Sequence, residues 1–93
     1  MSNDNNKLAD AKIAFQQGRV EEALTILEGM TNGGNPEVIY LKGELFYKLQ
    51  RWGEALNCFR DYENIHPDNR MAKTYIDMIN NILSFYNTDL YNP

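Results

Sequence analysis

The chain has 93 residues, 43% apolar and 12% aromatic, which is enough for one folded domain and too little for two. A single cysteine, Cys58, and a single histidine, His66, exclude an intrachain disulfide and a His-rich metal cluster. Nine basic against thirteen acidic residues give a net charge of −4, evenly spread, which argues against nucleic acid and anionic membrane surfaces as partners.

Apolar residues three and four apart predict a first helix over residues 7–17, carrying Leu8, Ala11, Ala14 and Phe15. Gly18 interrupts the pattern. It resumes with Val20, Ala23, Leu24, Leu27 and Met30, and Gly33-Gly34 is expected to end this second helix. Asn35-Pro36-Glu37 reads as a helix start. Asn35 can cap, Pro36 suits the first helical position, and Glu37 favours the positive helix end. The third helix carries Ile39, Tyr40, Leu41, Leu45, Phe46 and Leu49. A turn at Gln50-Arg51 leads to a fourth, with Trp52, Ala55, Leu56, Phe59, Tyr62 and Ile65. Pro67 closes it by forcing His66 out of helical geometry, and Asp68 is expected to cap a fifth helix.

That fifth helix carries Met71, Ala72, Tyr75, Ile76, Met78, Ile79, Ile82, Leu83, Phe85 and Tyr86. Its apolar band is wider than one packing face needs, so burial on more than one side is expected. Asn87 to Pro93 read as a polar tail, with Leu90 and Tyr91 available to fold back as cover. No segment alternates like a strand. The start, Met1-Ser2-Asn3-Asp4, lacks a signal pattern, and no stretch approaches the ~18 apolar residues of a membrane helix. The expectation is a cytoplasmic protein with no cofactor and no metal.

An internal repeat organises these elements. Gly18-Arg19-Val20-Glu21-Glu22-Ala23-Leu24 lies over Gln50-Arg51-Trp52-Gly53-Glu54-Ala55-Leu56 at an offset of 32. The repeated unit resembles the tetratricopeptide repeat (TPR) family, whose pattern is W-x2-L-G-x2-Y, then A-x3-F, then P. The second unit reads Ile39-x2-Lys42-Gly43-x2-Phe46, then Ala55-x3-Phe59 and Tyr62, then Pro67. In the first unit Ala11 takes the small position, Ala14 the aromatic one, and Ala23-x3-Leu27 matches A-x3-F. The 32-residue period, against the usual 34, implies a shortened loop between units. Lys42 stands where leucine is usual, with Leu41 expected to carry that packing. The resemblance implies an all-α, right-handed array of five helices. Residues 5–34 and 35–67 form two helix-turn-helix repeats, 68–86 a capping helix and 87–93 a tail. The ending is similar to that of small stand-alone bacterial TPR proteins.

No HExxH, CxxC, Walker A or GxGxxG motif occurs, and Cys58 lies eight residues from His66, so no catalytic pair forms. The chain is therefore read as a non-enzyme that binds a protein or peptide. TPR arrays bind peptides in the concave groove lined by the first helix of each unit. This implies groove candidates Leu8, Lys12, Phe15 and Gln16 in the first unit. In the second they are Glu37, Tyr40, Glu44, Tyr47 and Lys48. Tyr40 and Tyr47 suit binding anchors, or simply pack on the neighbouring helix. Lys12 and Lys48 are offset by Glu37 and Glu44, so an acidic tail is not the expected ligand. On the fifth helix, Ile76, Ile79, Leu83 and Tyr86 form a candidate dimer seam or partner dock. The alternative function is then a self-associating structural protein, a homodimer.

Overall fold

The structure, a computed structural model, describes residues 4–86, with side chains from residue 6 to residue 85. Its helices are α1 (Asp4–Gln16), α2 (Val20–Glu28), α3 (Pro36–Lys48), α4 (Trp52–Ile65) and α5 (Arg70–Tyr86), with no strand among the described residues. The expected tail, 87–93, and the side chain of Tyr86 lie outside the described residues.

Local chemistry accounts for the helix ends. The Asn35 side chain accepts a hydrogen bond from the Glu37 N–H at 2.9 Å, with Pro36 opening α3. At α5 the cap is Asn69, not Asp68: its Oδ1 accepts from the Ala72 N–H at 2.9 Å. Pro67 and Asp68 are spent in a turn closed by the Asn69 N–H donating to the His66 carbonyl at 3.1 Å, which moves the cap one residue on. Asn35 and Asn69 are thus equivalent caps, and α5 occupies the place of the first helix of a further unit.

The two hairpin turns are built alike. Gly18 has φ 82° and Gln50 has φ 61°, both left-handed. The following N–H then turns back, from Arg19 to the Ala14 carbonyl at 2.8 Å and from Arg51 to the Phe46 carbonyl at 2.9 Å. Arg19 pairs with Glu22 and Arg51 with Glu54, both at 2.6 Å. These exposed pairs contribute little stability; the turn conformation matters more. A left-handed residue with a side chain costs roughly 1–2 kcal/mol, partly offset by the entropy that glycine loses. Gln50→Gly should therefore raise the unfolding free energy by about 0.5–1 kcal/mol, and Gly18→Ala should lower it by about 1 kcal/mol. Urea titration of both variants checks the pair.

The first unit differs from expectation in two ways. Helix α2 ends at Glu28, before Gly33-Gly34, because the Gly29 and Met30 N–H groups close the last turn onto Thr25, Ile26 and Leu27 carbonyls. The shortening also falls in the helix, not the loop. Helix α2 has 9 residues against 14 in α4, while residues 29–35 make the longer connection.

Each helix packs on its sequence neighbours, with α1 also touching α3, giving an elongated body of 53 × 27 × 19 Å. Ala11, Ala14, Ala23, Leu27, Val38, Leu45, Ala55, Phe59, Ala72 and Ile79 form the inaccessible centre of the core. Leu41 is buried and Lys42 half-buried. The close approach of α3 to α4 is set by Gly43 against an aromatic ring: a Cβ there would sit 2.8 Å from Phe59 Cζ. On α5 one stripe, Ala72, Tyr75, Ile76, Ile79 and Leu83, is buried or half-buried, mainly on α4. Among the described residues, burial on α5 is confined to this face and its edge at Ile82. Met71, Met78 and Phe85 are exposed.

Candidate functional site: the α1–α3–α5 groove

The first helices of successive units, α1, α3 and α5, meet at a cavity of about 370 Å³. Helix α1 contributes Lys12, Phe15 and Gln16, and α3 contributes Glu37, Tyr40, Leu41 and Glu44. Tyr62 of α4, Asn69 and Met71 complete the lining. Lys12 Nζ donates to Glu37 Oε2 at 2.8 Å, tying α1 to α3. Both partners are largely exposed, so this bridge aligns the wall more than it stabilises the fold.

Two of the lining residues, Tyr40 and Tyr62, belong to an aromatic cluster that continues behind the cavity wall. Tyr40 meets Phe59, Tyr62 and Tyr75 edge-on, at centroid distances of 5.5, 4.9 and 6.1 Å. The Tyr75 hydroxyl donates to Glu44 Oε2 at 3.2 Å. Burial pushes the Glu44 carboxyl above its ordinary range, and the Tyr75 hydrogen bond pulls it partly back. No cation pairs with Glu44 among the described residues. Burial, then the charge of Glu44, push the Tyr75 hydroxyl up to about 12.

The Tyr75 shift has a consequence for alkaline stability. In the unfolded chain tyrosine ionises near its ordinary value of about 10. Between there and about 12 the folded chain holds a proton that the unfolded chain has released. The contribution is complete below about 10 and is lost as pH rises toward 12. Melting temperature should fall across this window in the wild type, and less steeply in Tyr75→Phe.

Lys12, Phe15, Gln16, Glu37, Tyr40 and Glu44, expected at the groove, line this one cavity. Leu8 does not: it is 8% exposed and belongs to the core, because the α1 stripe Leu8, Ala11, Ala14 turns inward. Tyr47 stands beside the cavity, edge-on to Trp52 and Tyr75 at 5.2 Å, with its hydroxyl 4.0 Å from the Met78 sulfur. Lys48 is exposed and outside the cavity. On α5 the expected surface is offset. Ile79 is wholly buried and Ile76 and Leu83 are half-buried, since they form the stripe that packs inward. Cys58 is a packing residue whose thiol burial pushes up to about 11, keeping it protonated at neutral pH.

Sequence reasoning missed Tyr62, Asn69 and Met71 as lining residues. A signal for two of them exists: Asn69 and Met71 follow Asn35 and Glu37 by 34 residues, the usual TPR period.

Five helices paired in this way, around a groove lined by the first helix of each unit, define a TPR-type helical repeat protein. The family model described as anaphase-promoting complex, cyclosome, subunit 3 matches residues 1–62. The chain belongs to that family, a TPR-type repeat family, which suggests a protein–protein interaction module. Such repeat families are generally non-catalytic scaffolds. Comparison with curated proteins and with solved structures found no match. No helix among the described residues is long and apolar enough to cross a membrane.

Proposed function

We propose that the protein binds a segment of a partner protein in the α1–α3–α5 groove, without catalysis. The observation that supports this is the convergence of Lys12, Phe15, Glu37, Tyr40 and Glu44 with Met71 on one cavity. Rigid aromatic side chains, half-buried and ringed by polar groups, are the chemistry of binding anchors. A photocrosslinking residue tests the reading: Met71→p-benzoylphenylalanine at the cavity, against Asn57→p-benzoylphenylalanine on the exposed face of α4. In the source cell, position 71 should give a discrete adduct with a protein other than this chain, and position 57 none; an adduct of position 71 with a second copy of this chain alone would remove the groove reading. Adducts from position 57 alone would remove the groove reading.

One observation favours a second reading, self-association through α5. Met71, Met78 and Phe85 are 56%, 37% and 78% exposed and recur every seven residues along one edge of α5. This is the spacing of a helix-pairing seam, offset from the expected Ile76, Ile79, Leu83 and Tyr86. A concentration series in sedimentation equilibrium decides: a strict monomer at the highest concentration removes this reading.

A further inference from the structure

We infer that the cavity accepts a cationic side chain, lysine or arginine, from the partner segment, with its charge on Glu44 and its stem between Phe15, Tyr40, Tyr62 and Met71. This rests on the groove reading above and specifies what the groove recognises. The argument begins with charge. Three ionisable side chains of opposite sign line the cavity besides its tyrosines: Lys12, Glu37 and Glu44. Lys12 is spent on Glu37 at 2.8 Å, which leaves Glu44 as the uncompensated charge.

Glu44 is also unfinished as an acceptor. Among the described residues its one hydrogen bond comes from the Tyr75 hydroxyl, at 3.2 Å to Oε2. A carboxylate offers about four acceptor sites, so capacity remains for a charged donor.

Three classes of incoming side chain can be compared. An apolar one would cover a carboxylate already half-desolvated and supply no donor, which is costly. An acidic one would meet Glu44 and Glu37 with only Lys12 to compensate. A basic one offers its charge to Glu44 and lays its methylene stem along Phe15 and Met71. Tyr40 and Tyr62 add the attraction of aromatic faces for cations. The volume, about 370 Å³, accommodates a long side chain.

The experiment is an NMR titration of ¹⁵N-labelled protein at low salt. The probes are the capped tetrapeptides Ac-Ala-Ala-Arg-Ala-NH2, Ac-Ala-Ala-Lys-Ala-NH2 and Ac-Ala-Ala-Gln-Ala-NH2, with ethylguanidinium as the free cation. The Arg and Lys peptides should shift amides around Glu37, Tyr40, Glu44 and Met71, and bind at least about tenfold more tightly than the Gln peptide. Glu44→Gln keeps an acceptor for the Tyr75 hydroxyl and removes the half-buried charge. It should weaken the Arg peptide about tenfold, with a melting temperature equal to or above wild type. Equal binding of the Arg and Gln peptides, or wild-type affinity in Glu44→Gln, overturns the inference and leaves the groove reading standing. Ethylguanidinium binding as tightly as the Arg peptide overturns the assignment to a partner's side chain. No groove shift with any probe also overturns it, while crosslinking at position 71 decides the groove reading separately.

Discussion

Phe59→Ala should lower the unfolding free energy by about 3–5 kcal/mol, the largest effect expected of any single truncation in this chain. The Phe59 ring has no accessible surface and joins three helices. One side lies against the α3 backbone at Gly43. The ring also stacks on Tyr75 of α5, at 4.3 Å between centroids and 6° between planes. Tyr40 meets it edge-on at 5.5 Å. Truncation leaves a cavity bounded by α3, α4 and α5, which can close only if whole helices move. A domain of this size has roughly 5–15 kcal/mol of stability, so the variant should sit near its unfolding threshold. Urea denaturation followed by far-ultraviolet circular dichroism measures it; a loss below about 1 kcal/mol would mean that the helices collapse onto the gap. Amide exchange should rise first in α5, which loses its stacking partner.

Gly43→Ala should cost about 1–2 kcal/mol, although alanine is the better helix former by about 1 kcal/mol. The sign depends on whether the Phe59 ring can yield. The new Cβ would lie 2.8 Å from Cζ and 2.9 Å from Cε1, closer than real contacts allow. The ring cannot retreat freely, because Tyr75 is stacked on it. Overpacking of this kind typically costs 1–3 kcal/mol and here outweighs the gain in propensity. The double variant Gly43→Ala with Phe59→Leu should cost less than the two single losses added together. Stabilisation by Gly43→Ala alone would show that the ring is not the reason glycine is there.

The helix faces and turns were legible because their causes are local. The Asn35 cap needs only Asn35, Pro36 and Glu37, and the turns at Gly18 and Gln50 need only their neighbours. Most of the cavity was legible too: Lys12, Phe15, Glu37, Tyr40 and Glu44 were placed by helical spacing and the TPR resemblance. The errors have two origins, a local turn and the docking of a helix. Asp68 and Asn69 are equally good caps, and a turn hydrogen bond from Asn69 to His66 selects between them. Ile79 and Met78 are adjacent and both apolar, yet one is wholly buried and the other 37% exposed. About 100° of helical rotation separates neighbours, and only the docking of α5 decides which turns inward.

Length and composition alone posed a stability question: 93 residues with one cysteine and one histidine have no staple. The repeat pattern in the chain answers it, since stacked helix pairs bury each helix on its sequence neighbours. Class, helix order, turn chemistry and most groove residues follow from short-range spacing, which a sequence records directly. The aromatic cluster does not. That Tyr75 stacks on Phe59 and donates to Glu44 across 31 residues depends on the angle at which α5 meets α3 and α4. Packing of the whole array sets that angle, so the setting of the Glu44 carboxylate in the groove is a property of the tertiary structure.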